Sequence, residues 1–587
     1  MKVFFWIILS IMILLTGAFL ELNQNSIAGW IMWVIWIAAF IAFAKNRISS
    51  SFFIVLLLWI SFAAVSALII RLSWPQVKPV AAVPEKDPEY TDIYHTEKGD
   101  VRGVYNKDHT VEIFTGIPYA KPPVGDLRWR KPQDPEIWTG VKDCDHFAPM
   151  SMQKTNLPVI SSLAQIIGYH DYKISFSDNR IPPVSEDSLY LNIWKPAGES
   201  ENLPVAVYIH GGSLQTGQPW YADYSGEGFA KEGVIVVNMG YRLGVFGFLA
   251  DEEMMAEEGT AGNFGLLDQI KALEWVRDNI ASFGGDPDNV TLIGESAGAV
   301  CVDALCVSPL AEGLFERVIL ESSTISSPEP PHSYRSLTDA LASGEKLKEK
   351  YHCSSLDELR KIPADKLAGE METQHHVTPD GYVFTDDPYV LRKAGIHNEK
   401  AILHGFNKEE SGPFIIFGHA KMNNYREKIQ TFFGSYTDEV LDLYPAENDA
   451  EADRYWAEIY GALFFNYSHY CLNRLAAENQ IPVYEYLFSK TNKRLSCWHS
   501  GELVYAFHVI PETSALYDDS DRKLSDMMKR FWVNFIRTGN PNGEGLPEME
   551  MNDDNTKVME FGDHTGMIEE PYLKLYDIMD KMYEPAQ

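Results

Sequence analysis

The chain has 587 residues, of which 45% are hydrophobic and 12% aromatic, a composition typical of folded rather than disordered proteins. Its net charge is −32, and the six basic and four acidic residues before Asp92 leave the remainder at −34. So acidic a domain would repel a phosphate backbone, which argues against nucleic acid as a partner. The six cysteines form no C-x-x-C pair, and the adjacent His375 and His376 have no further ligand at metal-site spacing, so no metal site is predicted.

Three apolar runs without a charged residue open the chain, at residues 3–20, 27–44 and 52–70. Each is close to the roughly 20 residues that a helix needs to cross a bilayer. None has the polar face expected of a helix on the surface of a soluble core. We therefore predict a three-helix transmembrane region over residues 1–70, which contacts the lipid bilayer through residues 3–70. The first run could instead be a signal peptide, although no A-x-A cleavage site follows it.

Charges in the short loops predict the orientation of these spans. Lys2 precedes the first run and Glu21 follows it, while Lys45 and Arg47 lie between the second and third. Positive charge favours the cytoplasmic side, so the amino terminus should lie inside and everything after residue 70 outside. This predicts a multi-pass cell-membrane protein whose large domain is extracytoplasmic.

A proline-rich linker is predicted over residues 71–89, where four prolines are spaced among polar and small residues. The globular domain then occupies residues 90–587. Its middle part alternates short apolar runs, at 205–210, 234–237 and 290–293, with a run of helical periodicity at 264–280. Such alternation predicts an α/β domain with a mostly parallel sheet.

The sequence Gly294-Glu-Ser-Ala-Gly298 follows the last of these predicted strands and precedes an apolar helix that runs to residue 307. A serine on a sharp strand-to-helix turn is exposed for nucleophilic attack, and the flanking glycines allow the backbones to approach closely. Ser296 is therefore the predicted nucleophile. The amide of Ala297 and the glycine turn Gly211-Gly212-Ser213, which follows the strand at 205–210, are predicted to bind the oxyanion.

From about residue 90 onward, the chain resembles the type-B carboxylesterase family, which includes para-nitrobenzyl esterases, liver carboxylesterases and cholinesterases. The stretch that carries the nucleophile, residues 283–298, matches the signature of that family throughout. Further matching stretches lie at residues 114–123, 186–194, 241–247, 262–269, 532–535 and 538–542. The resemblance implies an α/β-hydrolase fold, with a central mostly parallel sheet and helices on both faces, preceded here by the three transmembrane helices.

The resemblance also implies a catalytic triad in the order serine, acid, histidine. The two adjacent acids Glu409 and Glu410 are not distinguished by spacing, and the family pattern selects Glu410. The segment that begins at His499 resembles the one that carries the catalytic base, which favours His499 over His508. Ser322, after another strand, is expected to support the catalytic carboxylate.

Three departures from the family pattern are informative. The positions of a usual disulfide hold Ser151 and Ser188, which indicates a lineage that makes little use of disulfides. Ser213 replaces the usual third glycine or alanine of the oxyanion turn. Residues 150–185 contain no tryptophan, which disfavours a specialist for choline esters.

The predicted function is hydrolysis of small-molecule carboxylic esters through an acyl-enzyme, with no cofactor. Two alternatives remain open: a membrane-tethered adhesion or binding module on the same fold, and an amidase-type hydrolase. Substrate size should depend on two segments that match the family poorly, residues 152–180 and 324–376, which we interpret as parts of the cap. No sequence feature fixes an oligomeric state.

Overall fold

A computed structural model of the chain describes residues 2–583, apart from 46, 49–50, 168–179, 331, 371–374, 417, 493–495, 513, 515 and 553. The chain divides into two compact units. The amino-terminal unit comprises Met1–Val80 and Thr155–Pro183, and the large unit comprises Ala81–Lys154 and Val184–Gln587. The predicted linker at 71–89 is divided between the two units at Val80, and residues 155–183 group with the apolar amino terminus. Parts of both predicted cap segments lie outside the described residues.

Helices and strands are numbered in chain order. The helices are α1 (Lys2–Leu22), α2 (Ile27–Lys45), α3 (Phe52–Leu72), α4 (Pro158–Ile167), α5 (Glu227–Ala230), α6 (Gly244–Phe248), α7 (Glu252–Glu258), α8 (Phe264–Asn279), α9 (Ala297–Cys306), α10 (Leu337–Lys350), α11 (Leu356–Arg360), α12 (Ala364–Leu367), α13 (Pro388–Lys393), α14 (Tyr425–Phe433), α15 (Thr437–Leu443), α16 (Asp449–Gly461), α17 (Tyr467–Glu478), α18 (Leu503–Ala506), α19 (Asp519–Thr538) and α20 (Leu573–Tyr583). The strands are β1 (Gln76–Val77), β2 (Val80–Ala81), β3 (Tyr94–Thr96), β4 (Gly99–Arg102), β5 (Val104–Tyr105), β6 (Val111–Pro118), β7 (Val141–Asp143), β8 (His146–Phe147), β9 (Met150–Ser151), β10 (Arg180–Ile181), β11 (Val184–Ser185), β12 (Tyr190–Pro196), β13 (Leu203–Ile209), β14 (Ile235–Met239), β15 (Gly285–Glu295), β16 (Arg317–Glu321), β17 (Ile402–Asn407), β18 (Val483–Phe488), β19 (Lys557–Phe561) and β20 (Thr565–Glu569).

In the amino-terminal unit, α1, α2 and α3 are each long and apolar enough to cross a membrane. Aromatic side chains such as Phe5, Phe40 and Phe62 fill the space between these helices. At one end of the bundle, the side chain of Asn25 donates hydrogen bonds to the carbonyl of Ile70 (2.7 Å) and the hydroxyl of Ser73 (2.8 Å). These bonds fasten the α1–α2 loop to the end of α3.

The large unit is built on an eleven-stranded sheet in the order β20-β19-β18-β17-β16-β15-β13-β14-β12-β6-β5. Neighbouring strands from β14 to β19 run parallel, and the strands at both edges are antiparallel. The predicted strands and the helix at 264–280 appear as β13, β14, β15 and α8. The predicted α/β class with a mostly parallel centre is confirmed.

Helices cover both faces of this sheet because successive strand residues point to opposite sides. On one face, Val207 of β13 and Leu292 of β15 belong to a large hydrophobic core with α8 and α9. On the other face, α19 packs against β13 and β15, and Tyr208 contacts Phe507 at 5.1 Å between ring centroids. The sheet is therefore buried on both sides.

The carboxyl ends of the parallel strands meet at one edge of the sheet, where α/β proteins bind their ligands. The predicted site residues all follow such strand ends. They are Gly211, Gly212 and Ser213 after β13, Ser296 after β15, Ser322 after β16, Glu410 after β17 and His499 after β18.

Candidate active site

Ser296 lies on a tight turn between β15 and α9. Its backbone has φ 55° and ψ −128°, a conformation that costs a non-glycine residue about 1–3 kcal/mol. The turn is held by the amide of Ser296, which donates a 2.8 Å hydrogen bond to the carbonyl of Glu321 in β16. Its two glycines are required by space, since a Cβ on Gly294 would lie 2.5 Å from the backbone of Gly298, and one on Gly298 would lie 2.0 Å from the carbonyl of Ile209.

His499 and Glu410 form a buried ion pair. The imidazole Nδ1 lies 2.5 Å from the Oε2 atom of Glu410, whose other oxygen accepts a 2.7 Å hydrogen bond from the amide of Asn407. Glu410 is 1% exposed, whereas the side chain of Glu409 is exposed and bonds to Ser496 at the surface. The structure thus brings Glu410, and not Glu409, to His499. His508 lies elsewhere, against Ser525 at 2.9 Å.

The second imidazole nitrogen of His499 points toward the nucleophile turn. Nε2 lies 3.3 Å from the Oε1 atom of Glu295, the residue directly before Ser296. Within the described ranges, Nε2 makes no hydrogen bond, and none joins it to the hydroxyl of Ser296. Catalytic hydrogen bonds are often long in a ligand-free enzyme and tighten when substrate binds.

Glu295 and Glu502 are two further buried carboxylates at this site, and the sequence analysis missed both. Glu295 accepts a hydrogen bond of 2.5 Å from the hydroxyl of Ser500, and Glu502 accepts one from the side-chain amide of Asn407. Glu295 stands within the nucleophile motif and Glu502 lies three residues after His499. An acidic residue inside or close to a catalytic motif is the sequence signal that could have identified them.

These carboxylates change the protonation behaviour of the site. Burial acts to lower the pKa of His499, but the carboxylates of Glu410 and Glu295 outweigh it and raise that pKa to about 9. Burial raises the pKa of Glu295, against the opposing effect of the His499 cation. Burial, together with the charges of Glu295 and Glu410, raises the pKa of Glu502 to about 8. The site therefore favours a protonated imidazole near neutral pH.

Ser322 lies in this cluster, but its partner differs from the expected one. Its hydroxyl donates a 3.3 Å hydrogen bond to Glu502, and the structure gives it no bond to Glu410. Its amide bonds to the carbonyl of Gly405 at 2.8 Å, which joins the ends of β16 and β17. Glu502 in turn shares Asn407 with Glu410. The predicted support of the catalytic carboxylate is therefore indirect.

The predicted oxyanion turn lies beside Ser296. A Cβ on Gly211 would lie 3.0 Å from the Cβ of Ser296, so only glycine permits this approach. Gly212 and Ser213 both have positive φ, of 113° and 56°, and the side chain of Ser213 is exposed. The amides of Gly212, Ser213 and Ala297 donate no hydrogen bond to any described residue. They remain available to a substrate oxygen.

The oxyanion turn is fixed by its neighbours. The hydroxyl of Tyr241 donates a 2.7 Å hydrogen bond to the carbonyl of His210, whose ring stacks on that of Tyr241. Burial lowers the pKa of His210 to about 4, so this imidazole stays neutral. On the other side, Gln153 bonds to both the carbonyl (2.7 Å) and the amide (3.0 Å) of Gly217. These hydrogen bonds hold the residues on both sides of the turn.

Aromatic rings surround the imidazole of His499. Phe414 packs edge-on at 5.1 Å and Phe465 lies 4.9 Å away between ring centroids. Phe414 is 46% exposed, so it forms the rim of the site. Rings of this kind keep water away from the ion pair and offer apolar contact to a substrate.

All six cysteines are free thiols. Ser151, at one position of the usual family disulfide, donates a 2.6 Å hydrogen bond to the carbonyl of Tyr241 instead. No group of three His, Cys, Asp or Glu side chains in the described part of the chain is arranged to hold a metal ion.

Comparison with known proteins shows the family of the chain. The model of the carboxylesterase family matches residues 91–578. The chain belongs to the carboxylesterase family. Among its relatives, this carboxylesterase is 31% identical to the fumonisin B1 esterase of Sphingopyxis macrogoltabida, over 86% of this chain and 94% of that one. It is also 31% identical to the para-nitrobenzyl esterase of Bacillus subtilis, over 77% and 91% respectively.

The fold of this carboxylesterase matches those of solved bacterial esterases. A carboxylesterase of Geobacillus stearothermophilus aligns with a TM-score of 0.70 at 30% identity, covering 83% of this chain and all of that one. The expected α/β-hydrolase fold is thereby confirmed. Together with the named esterases, this identifies the protein as a carboxylic ester hydrolase that acts on small-molecule esters, with three amino-terminal helices apolar enough to cross a membrane.

Proposed function

We propose that this carboxylesterase cleaves its substrates by acyl transfer through a Ser296–His499–Glu410 triad. The observation that carries the proposal is the buried contact of 2.5 Å between Glu410 and the Nδ1 atom of His499, with Nε2 directed at the residue before Ser296. An acid on Nδ1 holds the imidazole in the tautomer whose Nε2 accepts a proton.

In the first step, His499 removes the hydroxyl proton while the oxygen of Ser296 attacks the ester carbonyl. The carbonyl oxygen becomes an oxyanion, which the amides of Gly212, Ser213 and Ala297 stabilise. His499 then gives its proton to the leaving alcohol, and an ester between substrate acid and Ser296 remains.

In the second step, water attacks this acyl-enzyme. His499 takes a proton from the water, and the same three amides stabilise the second oxyanion. Collapse of the intermediate returns the proton to Ser296 and releases the carboxylic acid. The reaction needs only these side chains, amides and water.

We also propose that α1, α2 and α3 anchor the enzyme in the cell membrane as a multi-pass protein, with the large unit on the extracytoplasmic side. The loop charges at Lys2, Lys45 and Arg47 support this orientation.

Replacement of the nucleophile tests the acyl-transfer proposal. We expect Ser296→Ala to lower kcat for nitrophenyl butyrate by about 10³-fold or more, because the attacking oxygen is lost. The matched control is Ser343→Ala on α10, whose hydroxyl bonds only to the carbonyl of Asp339. A folded Ser296→Ala enzyme that kept the wild-type rate would refute the proposed nucleophile.

A further inference from the structure

Residues 155–183 interrupt the large unit and belong to the same compact unit as the three apolar helices. Two described elements of this segment pack within the amino-terminal unit. Helix α4 packs against α1, and β10 pairs in parallel with β1, directly after α3. The amide of Lys78 adds a 3.2 Å bond to the carbonyl of Ile181. The chain therefore returns to the apolar bundle after it has entered the large unit.

The contact between α4 and the bundle lies at the end of α1. The side chain of Gln24, two residues beyond that helix, donates a 3.3 Å hydrogen bond to the buried hydroxyl of Ser162 in α4. A helix of 21 residues spans about 31 Å, close to the thickness of the hydrocarbon core. A polar side chain just beyond it lies at the level of the lipid headgroups. Helix α4 is thus placed at the membrane surface.

Opposite Ser162, α4 and the residue directly before it present an apolar stripe. Leu157, Ile160 and Leu163 are spaced at three-residue intervals and are 56%, 48% and 39% exposed. Apolar side chains of α1 are likewise exposed, for example Leu14 and Leu15 at 72% and 66%. An apolar stripe at headgroup depth is the pattern of helices that lie in a membrane interface.

The beginning of this segment is tied to the active site. Gln153, whose side chain brackets Gly217 in the oxyanion region, is five residues before Pro158, the first residue of α4. Residues 154–157 thus connect the hydrogen-bond partner of Gly217 to α4. The chain crosses between the two units at residues 80–81, 154–155 and 183–184, and such tethering raises the effective concentration of the large unit near esters that partition into the bilayer.

We propose that Leu157 and the α4 residues Ile160 and Leu163 bind the lipid bilayer surface, as a membrane attachment additional to α1–α3, and that the enzyme acts on long-chain esters partitioned into the membrane. This inference rests on the ester hydrolysis proposed above and names the physical state of its substrate.

The location of α4 is tested with the full chain in vesicles of dioleoyl phosphatidylcholine. An environment-sensitive fluorophore is attached at Ile160→Cys, and Ala342→Cys on α10 is the matched control. Both are made in a Cys353→Ser background, because the other native cysteines are buried. We expect a blue-shifted emission at position 160, with quenching by lipids that carry a nitroxide near the headgroup, and neither effect at position 342. Equal, water-like emission at both positions would overturn the proposal.

Activity tests the substrate class. Ile160→Asp/Leu163→Asp is compared with Ile160→Met/Leu163→Met, which keeps the stripe apolar. We expect the aspartate variant to lose about tenfold in kcat/KM for a fluorogenic long-chain ester in vesicles, because charges replace two exposed apolar side chains that the proposal places in contact with lipid. Hydrolysis of nitrophenyl acetate in water should not change.

The outcomes distinguish a failure of this inference from a failure of the proposed triad mechanism. Equal kcat/KM of both variants for the vesicle ester would overturn the membrane substrate while hydrolysis itself stands. A wild-type enzyme that cleaves neither ester would instead refute the proposed function. If the aspartate variant fails to fold, shown by loss of nitrophenyl acetate hydrolysis, the fluorescence measurement decides alone.

Discussion

Glu409 and Glu410 are adjacent in sequence but differ in their surroundings. Glu410 is buried against His499 and accepts a hydrogen bond from the amide of Asn407, while Glu409 is exposed at the surface. A buried carboxylate orients an imidazole more strongly than an exposed one, since solvent screens it less. The two residues therefore form a matched pair for a test.

We expect Glu410→Gln to lower kcat by about 10³–10⁴-fold, because the amide no longer selects the imidazole tautomer or stabilises its cation. Glu409→Gln should stay within about twofold, as is usual for surface changes. Steady-state hydrolysis of nitrophenyl butyrate measures both. Equal losses in the two variants would contradict the assignment of the acid.

The raised pKa of His499 predicts an alkaline pH profile. A general base must be neutral, so kcat/KM should rise as pH increases through the pKa of about 9. Glu295→Gln removes a carboxylate 3.3 Å from Nε2 and should move the inflection to lower pH, whereas Glu349→Gln on α10 should leave it unchanged. An inflection that does not move in Glu295→Gln would exclude this carboxylate as a cause.

At the scale of single residues, motifs predicted which residues form the candidate site but not which hydrogen bonds join them. Ser296 and His499 stand in recognisable segments, and the family pattern selected Glu410. The sequence did not indicate that Ser322 would bond to Glu502, because hydrogen-bond partners depend on side-chain directions that spacing does not specify. Glu295 went unnoticed for the same reason, although it is part of the nucleophile motif.

At the scale of elements, the turn from β15 to α9 places the nucleophile. The turn brings α9 so close to the end of β13 that a Cβ at Gly298 would be 2.0 Å from the carbonyl of Ile209. Alternating strands and helices were predictable from hydrophobic periodicity, because β13, β14 and the second half of β15 are short apolar runs buried on both faces. The antiparallel edge strands, such as β5 with two residues, are too short to leave such a pattern.

Gly298→Ala should therefore separate α9 from β13. We expect a loss of at least about 2 kcal/mol in unfolding free energy, since the backbone carbonyl cannot yield as a flexible side chain would. Gly566→Ala in β20 is the control, because a Cβ there has no atom within 4 Å, and it should change stability by less than about 0.5 kcal/mol. Thermal unfolding compares the two, and equal melting temperatures would contradict the close packing.

At the scale of the whole molecule, hydropathy predicted the three long helices. It did not predict that residues 155–183 belong to the same compact unit as these helices. Residues 152–180 match the family poorly, which is why we interpret them from sequence as part of a cap. Helix α4 within them has ten residues, half the length that marks a membrane span. The grouping depends on the contact of α4 with α1 and on the pairing of β10 with β1, both of which join residues that are remote in sequence. Long-range pairing of this kind leaves no local signal.

The orientation of the membrane region predicts which loops are accessible from outside. In a Cys353→Ser background, a membrane-impermeant maleimide should label Ala342→Cys in the large unit of intact cells. Ile48→Cys, in the loop between α2 and α3, should react only after permeabilisation, because the basic charges beside it favour the cytoplasm. The reverse pattern of labelling would place the large unit inside the cell.

Covalent labelling of the nucleophile tests the triad most directly. A nitrophenyl phosphonate phosphonylates an activated serine with loss of nitrophenolate, and peptide mass spectrometry identifies the labelled residue. We predict one adduct, on Ser296, that forms at least about 10²-fold more slowly in His499→Gln because the general base is lost. An adduct on another residue, or equal rates in the two enzymes, would contradict the proposed relay of Ser296, His499 and Glu410.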